Sequence, residues 1–408
     1  MTEYQQAIEK LVSGTIAEKR EALDALRASK ADVVPSLISA IYRADDQHLG
    51  WTLQGYDYER GEGQKDGFVL IESTIKGDYW YVFAATHLLI ELGSASVDTT
   101  LDSLTHENPI IRAWSAFVLG DIGDNRVIPH LVNRLNATNQ TELWRVCEAL
   151  GKLHAVNAVP RLIELLADEE AGVDSAAATA LGRIGDARAL EPLIEQFKKH
   201  KPSVYAISAA FSYFGEEAVM PLAGVLFDDN TKPVHDLALM ELGFIGDARA
   251  IDPIMSYLDS TQDTVSKRAA ITALGQLKAE KAVSRIAELF RTATDFDIRY
   301  SSSMALAEIG NRQAFETLVL ELEHGTPERQ HDAALAFGQM EHVENIEPLL
   351  NALKTGSTSI RSAIAVSLGN LCDRRAIPAL REALNDSDEN TRRYAQDGLD
   401  KISTIDKA

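Results

Sequence analysis

The sequence ATALGRIGDARALEPL, from Ala178 to Leu193, contains two apolar segments joined by a short polar hinge. Apolar residues in both segments recur at the three- and four-residue spacing that is typical of amphipathic helices. In the hinge, Gly185 is the residue type that ends a helix in the left-handed conformation, and Asp186 is a common N-terminal cap. Pro192 falls in the opening turn of the second segment, where a missing N–H costs nothing. This stretch predicts a helical hairpin.

The same two phrases recur along the chain. The first ends, in steps of 27 to 33 residues, at Gly93, Gly120, Gly151, Gly182, Gly215, Gly243, Gly275, Ala307, Gly338 and Gly369. The second runs from VVPSL (Val33–Leu37) to AIPAL (Ala376–Leu380), and Asp124 and Asp247 repeat the hinge cap. Since one hairpin cannot bury its apolar face alone, neighbours must stack. We therefore expect an all-α, right-handed α-solenoid of about eleven hairpins of 31–32 residues, forming one domain over residues 1–408.

Composition limits the partners of this protein. The chain has 40 Lys and Arg against 61 Asp and Glu, a net charge of −21. Nucleic acids and anionic membranes require dense positive charge, so we expect neither as a partner. The two cysteines form no disulfide framework, and the first residues lack the basic and apolar regions of a signal peptide. These features predict a cytoplasmic protein.

The repeated phrase, clearest at Ala178–Leu193 and again in Ala270–Gly275, resembles the short HEAT repeats of the phycobilisome-lyase type. The resemblance covers nearly the whole chain and implies the helical solenoid. For function it implies one of two things, because this family includes subunits that attach bilin chromophores to phycobiliprotein cysteines and also scaffolds without chemistry.

A related family, deoxyhypusine hydroxylase, holds two irons with His-Glu pairs on such repeats. Here His331-Asp332 occupies the corresponding place, and His235-Asp236 lies one position out of phase. A di-iron site needs about six convergent ligands, so we expect no metal or other cofactor and place both histidines on helix surfaces. No catalytic motif is present, so no catalytic residue is assigned, and Cys147 is predicted to be a core residue.

An insertion interrupts the repeat at residues 45–78, where two β-like runs flank a Gly-rich connection and predict a β-hairpin. Aromatic residues are concentrated in and near this insertion. Those selected as candidate binding residues are Trp51, Tyr56, Tyr58, Trp80, Trp114 and Trp144. Either the hairpin caps the end of the stack, or some of the aromatic residues face outward as interface anchors.

The second helices carry one position, two residues after the recurring apolar residue, that is often acidic. The glutamates at this position are Glu164, Glu195, Glu288 and Glu382. In HEAT-like stacks the second helices line the concave side, so the resemblance implies an inner face with four carboxylates. This face is either a groove for a basic protein segment or an ordinary solvated surface.

These features favour a non-enzymatic scaffold or assembly helper that holds a client protein on its concave face and N-terminal insertion. The alternative is a bilin lyase or chromophore-handling chaperone acting on a phycobiliprotein subunit, and the protein would be an enzyme only as the lyase. A bilin carries two propionates and requires Arg or Lys partners, which the inner position does not supply.

Overall fold

The computed structural model describes residues 3–13, 16–42, 79–167, 172–340 and 345–405, and within these ranges the chain forms helices and no strands. The predicted hairpin at residues 45–78 lies outside the described residues. Two compact units divide the chain, unit 1 from Met1 to Phe214 and unit 2 from Gly215 to Ala408. The expected all-α solenoid is confirmed. No helix in the described ranges is long and apolar enough to span a membrane.

Unit 1 consists of helical hairpins that follow one another along the chain. Its helices are α1 (Glu3–Ser13), α2 (Ile16–Ala28), α3 (Val34–Tyr42), α4 (Tyr79–Leu92), α5 (Val97–Ser103), α6 (Pro109–Ile122), α7 (Ile128–Arg134), α8 (Gln140–Lys152), α9 (Val159–Leu165), α10 (Val173–Ile184), α11 (Leu190–Lys198) and α12 (Val204–Phe214). From α2 onward, even-numbered helices are the first helices of the repeats and odd-numbered ones are the second.

Unit 2 continues the same alternation. Its helices are α13 (Val219–Val225), α14 (His235–Ile245), α15 (Ile251–Ser260), α16 (Thr264–Gln276), α17 (Val283–Thr292), α18 (Phe296–Ile309), α19 (Arg312–His324), α20 (Pro327–Phe337), α21 (Glu347–Thr355), α22 (Thr358–Leu371), α23 (Ile377–Ala383) and α24 (Glu389–Ile405). Within each unit, each first helix packs against the first helix of the next repeat and against the second helix of the preceding repeat.

The hinges have the predicted chemistry. Gly123, Gly185 and Gly246 end their helices with positive φ angles of 78°, 68° and 75°. The Asp of each Gly-Asp pair accepts a hydrogen bond from the backbone N–H two residues later, as Asp186 does from Arg188 at 3.0 Å. It thereby caps the 3₁₀ turn that leads into the second helix. The hinge aspartates and glycines therefore have structural roles.

A second set of glycines allows neighbouring first helices to approach closely. A Cβ added at Gly151 would lie 2.9 Å from Cα of Ala180, and one at Gly182 would lie 2.9 Å from Cα of Ala210. We call the position of these glycines in each repeat the packing position. The alanine that each glycine contacts lies two residues before the packing position of the next repeat, as Ala180 lies two residues before Gly182. These contacts set the register between repeats.

Two of the glycines that end the first repeated phrase in the sequence do not occupy the packing position of their repeats. Gly93 and Gly215 have φ angles of +55° and +53°, and a Cβ at either would meet nothing within 4 Å. Both are helix-ending residues. Because Ala210 contacts Gly182, Ser212 holds the packing position in its repeat. The irregular steps of 33 and 28 residues around Gly215 therefore become regular steps of 30 and 31.

Buried ion pairs also link successive repeats. The fully buried carboxylate of Glu142 on α8 accepts hydrogen bonds from Nε of Arg112 at 2.8 Å and Nε of Arg134 at 2.6 Å. In unit 2, Asp332 is buried and accepts a 2.6 Å bond from Nε of Arg299 in the preceding repeat. These contacts satisfy charges that would otherwise be costly to bury.

Candidate functional site

The first helices α6 and α8 of unit 1 form an aromatic cluster around one guanidinium group. The carbon of the Arg145 guanidinium lies 5.1 Å from the ring centroid of Trp114, 4.7 Å from Phe117 and 4.6 Å from Trp144. Trp114 and Phe117 make an edge-to-face contact with their centroids 5.5 Å apart. We call these four residues the Trp–Arg cluster.

Neighbouring charges fix the position of the guanidinium. Nη1 of Arg145 donates to the Glu148 carboxylate at 2.6 Å, and Nζ of Lys152 lies 2.9 Å from the same carboxylate. Lys152 also pairs with Asp121 on α6 at 3.1 Å. Burial would raise the pKa of Glu148, but the charges and hydrogen bonds of Arg145 and Lys152 outweigh it and hold that pKa below its usual value. Glu148 is therefore a stable anion at neutral pH.

Local sequence and repeat packing build this cluster together. Trp114 and Phe117 are three residues apart on α6, and Arg145 and Glu148 are three apart on α8, so each pair shares a helix face. The close approach of Gly120 to Ala149 then brings the two faces together. Both tryptophan rings remain half-buried, and the indole N–H of Trp114 is buried without an acceptor among the described residues. The cluster is thus a rigid, partly exposed aromatic surface.

The other predicted aromatic residues give less information. Trp51, Tyr56 and Tyr58 lie outside the described residues. Trp80 lies in α4, but its side chain is outside the described part. The structure therefore brings together Trp114 and Trp144 through Arg145, and sequence reasoning selected both tryptophans without identifying the arginine that joins them.

The four predicted glutamates all lie on exposed faces of second helices, two in each unit, with 54% to 72% of each side chain accessible. Each is also ion-paired. The pairs are Glu164 with Arg161 at 2.5 Å, Glu195 with Lys198 at 2.8 Å, Glu288 with Arg285 at 2.8 Å and Glu382 with Lys354 at 3.8 Å. The position is therefore exposed as expected, but it presents local ion pairs instead of a row of isolated carboxylates.

Two apolar side chains on the same kind of surface were missed. On α13 of unit 2 the glutamate position is Gly224, and Met220 beside it is exposed. Phe227, just after α13, is exposed as well and places its ring edge against Tyr257. The signal was present in the sequence, because Met220 and Phe227 flank the buried Leu222 and Val225 of an amphipathic helix.

The described histidines are not gathered into a metal-binding cluster. Among the described residues, no group of three or more His, Cys, Asp or Glu side chains could hold a metal ion. The carboxylate beside His331 is occupied by Arg299. The expectation of a surface position is wrong for His235, which is buried, with Nδ1 2.8 Å from the Tyr257 hydroxyl and Nε2 3.1 Å from Oγ1 of Thr231. The described residues thus do not fit a di-iron centre.

Cys147 is fully buried, as predicted, and burial raises the pKa of its thiol to about 12. At neutral pH it remains a protonated core residue. A nucleophilic cysteine requires a thiolate, so Cys147 has no such role in this state.

Comparison with known proteins supports the repeat architecture. The family model described as HEAT repeats matches residues 129–213, 219–307 and 315–400, and the PBS lyase HEAT-like repeat matches residues 111–137. Deoxyhypusine hydroxylase of Mus musculus is 26% identical over 267 residues, covering 62% of this chain and 82% of that protein. The uncharacterized phycocyanin operon protein Z of Pseudanabaena tenuis is 24% identical over 193 residues, covering 45% of this chain and 96% of that protein.

Among solved structures, Kap121p bound to Pho4p has a TM-score of 0.58 at 11% identity, covering 98% of this chain and 49% of that chain. Kap95p, in a structure that concerns its binding to RanGDP, has a TM-score of 0.56 at 11% identity and covers 99% and 67% of the two chains. At such low identity these similarities concern the fold alone.

Proposed function

Because this chain belongs to the HEAT-repeat family, we propose that it is a non-enzymatic scaffold or assembly helper that binds a client protein. The observation that carries the proposal is the Trp–Arg cluster. Tryptophan is among the residues most enriched at interface hot spots, and the buried Arg145 holds the two half-buried tryptophans in place, so these anchors lose little entropy on binding. The ion pairs of Arg145 and Lys152 provide that rigidity here.

The exposed faces of the second helices supply a second contact region in the proposal. Kap121p and Kap95p, which share this fold, are each described with a bound protein. A basic client segment would exchange for Arg161 and Lys198 as partners of the exposed glutamates of unit 1, or for Arg285 as the partner of Glu288 in unit 2. Such exchange adds little affinity, so the net charge of −21 would mainly steer the encounter. Apolar anchors, among them Met220 and Phe227, would supply most of the affinity.

The proposal extends to residues outside the described part of the chain. We propose that residues 1–408 form one repeat array in the cytoplasm and that Trp51, Tyr56 and Tyr58 contact the client. Deleting Asp45–Asp78 would then leave a folded, helical protein that no longer binds its client. Full client affinity in that variant would assign the insertion a capping role.

The experiment for the cluster is co-purification with quantitative mass spectrometry, comparing the wild-type chain with Trp144→Ala. Tyr205→Ala is the matched control, because Tyr205 is an exposed aromatic residue on a first helix of the same unit. We expect one client to be depleted about tenfold or more by Trp144→Ala and unchanged by Tyr205→Ala. Equal recovery of all proteins with Trp144→Ala would refute the role of the cluster.

A bilin lyase or chromophore-handling chaperone remains the second candidate. In its favour, the PBS lyase HEAT-like match at residues 111–137 includes Trp114, and one relative carries a phycocyanin operon name. Against it, Arg112, Arg134 and Arg145 already pair with carboxylates and are not available for bilin propionates. Mixing the protein with free phycocyanobilin separates the candidates. A saturable absorbance shift that is lost in Trp114→Ala would favour the chromophore function.

A further inference from the structure

Unit 2 carries a second unusual surface, on its first helices. Helix α16 packs between α14 and α18. Large apolar side chains on the two outer helices are 37% to 63% exposed; they are Met240 and Phe244 on α14 and Phe296 and Tyr300 on α18. Between them α16 presents the exposed Thr272, whose short side chain carries a methyl group and a hydroxyl. We call these five residues the apolar trough, with apolar walls and the threonine as its floor.

The repeat register places these residues on one face. Gly243 contacts Ala273, and Gly275 contacts Ala305, so consecutive first helices are aligned by their packing positions. Met240 and Thr272 each stand three residues before the packing position of their repeats, and the half-buried Met304 does the same on α18. A short side chain is therefore flanked by a methionine on each side. Phe296 and Tyr300 stack with their ring centroids 5.6 Å apart. They continue the α18 wall two turns and one turn before Met304, where Thr264 and Arg268 are the corresponding residues of α16.

The dimensions of the trough fit one helix. Neighbouring packed helices have axes about 8–10 Å apart, so α14 and α18 are separated by roughly 18 Å across α16. A helix with its side chains is about 10–12 Å wide. The 13 residues of α16 span about 20 Å, which matches three to four turns of a partner helix.

The exposed area argues against a second copy of this chain as the occupant. The four large side chains expose on the order of 400 Å², which is a typical size for a functional apolar patch on a monomer. A stable protein interface needs about 800 Å² on each partner. A short helix can be covered by the smaller area, whereas a stable homodimer requires more surface than the trough provides.

One charge specifies the partner further. Arg268 on α16 is exposed and, among the described residues, forms no ion pair. Asp236 occupies the equivalent position on α14, but no ion pair joins the two side chains. Unit 2 arginines such as Arg285, Arg299 and Arg361 are, by contrast, paired with carboxylates. A guanidinium without a carboxylate beside an apolar trough is complementary to an acidic side chain at the edge of an apolar helix face.

We propose that the apolar trough binds an amphipathic helix of another protein, with apolar anchors at helical spacing and a carboxylate placed to pair with Arg268. Binding of a helix in a groove uses i, i+3, i+4 and i+7 anchors, and the methionines on both walls can adapt to their shapes. The trough shares no residue with the second-helix faces or the Trp–Arg cluster. Its test is therefore independent of the client proposed above.

The test uses two synthetic helical peptides of about 16 residues, long enough to span the trough. Both have leucines at helical spacing; one has flanking glutamates and the other has lysines at the same positions. With the full chain labelled at the methionine methyl groups, we expect the glutamate peptide to shift the Met240 and Met304 resonances. Met220, which is exposed on a second helix of the same unit, is the internal control and should not shift.

Variants then test the chemistry of the trough. Phe244→Ser and Phe296→Ser should each weaken the glutamate peptide by about tenfold or more. Arg268→Glu should reverse the preference between the two peptides. Equal shifts at Met220 and Met240, or unchanged affinity in both serine variants, would overturn the proposal. Concentration-dependent dimers in sedimentation that disappear in Phe244→Ser would also overturn it, in favour of a second copy of the chain.

Discussion

Gly182→Ala should destabilise unit 1, although alanine is the better helix former. Gly182 lies on α10, where a Cβ would stand 2.9 Å from both Cα and Cβ of Ala210 and 3.0 Å from its carbonyl oxygen. These atoms belong to the backbone and Cβ of α12 and have no flexible end that could move aside. The added methyl group can be accommodated only if the two helices separate.

The magnitude follows from two opposing terms. Replacing glycine by alanine in a helix interior contributes about 0.5–1 kcal/mol in favour of folding. Forcing an extra methyl group into a close-packed contact costs about 1–3 kcal/mol. The contact distance lies below the range that real Cβ atoms show, so the packing term should dominate. We expect a net loss of about 1–2 kcal/mol in the free energy of unfolding.

Urea unfolding followed by circular dichroism measures this loss. Gly224→Ala is the matched control, because a Cβ at Gly224 would meet nothing within 4 Å, and it should gain about 0.5–1 kcal/mol. Ala210→Gly combined with Gly182→Ala should recover part of the loss, since it removes one of the contacted atoms. A Gly182→Ala chain that is as stable as wild type, with no coupling to Ala210→Gly, would refute this account of repeat packing.

Three further predictions concern other contacts. Glu142→Ala leaves Arg112 and Arg134 without their buried carboxylate and should lower the free energy of unfolding in urea by about 3–5 kcal/mol. Glu195→Ala, which removes an exposed ion pair, should lower it by less than about 1 kcal/mol. Equal losses in the two variants would show that the buried ion pairs stabilise the fold no more than the exposed one. Hydrogen bonds from Arg188 hold the pKa of Asp186 at about 2, below the ordinary 3.8. The charged Asp186 carboxylate therefore stabilises the fold above about pH 4, and this contribution is lost as the pH falls through about 2. Asp186→Asn, which keeps a capping oxygen, should therefore unfold more easily than wild type at pH 7, and the difference should shrink as the pH falls towards 2. A deficit at pH 2 as large as the one at pH 7 would contradict the assignment. Lys278 follows α16 with φ +47°, a conformation that strains lysine but not glycine, so Lys278→Gly should stabilise the protein by up to about 1 kcal/mol in thermal unfolding. Lys267→Gly, within α16, should destabilise it. A loss of stability in both variants would show that Lys278 is not strained.

Prediction from sequence succeeded where the signal was local. The helix ends at Gly123, Gly185 and Gly246 and the caps at the adjacent aspartates follow from three or four consecutive residues. Errors arose where one residue type serves two purposes. Gly215 resembles the packing glycines in its sequence context, yet it ends a helix, and only its contact-free surroundings and positive φ distinguish it from Gly182.

The candidate sites show the same division. The sequence selected Trp114 and Trp144 because aromatic residues are concentrated near the N-terminal end, but it had no means of placing Arg145 between their rings. It also identified the exposed glutamates without their partners. The Glu382 partner, Lys354, belongs to the preceding repeat, 28 positions away in the chain. His235 was assigned to the surface because its buried partner, Tyr257, lies 22 residues later on another helix.

The amino-acid sequence by itself determined the repeat, the helices, their caps and the choice of an all-α solenoid, because these depend on periodicity and on interactions within a few residues. Only the tertiary structure decided which glycines pack against a neighbour, which arginines are paired and which apolar residues remain exposed. Those outcomes depend on contacts about 30 residues apart, where the register between repeats determines which side chains meet. The apolar trough belongs to this second group, because Met240, Thr272 and Tyr300 form a surface only when three first helices lie side by side.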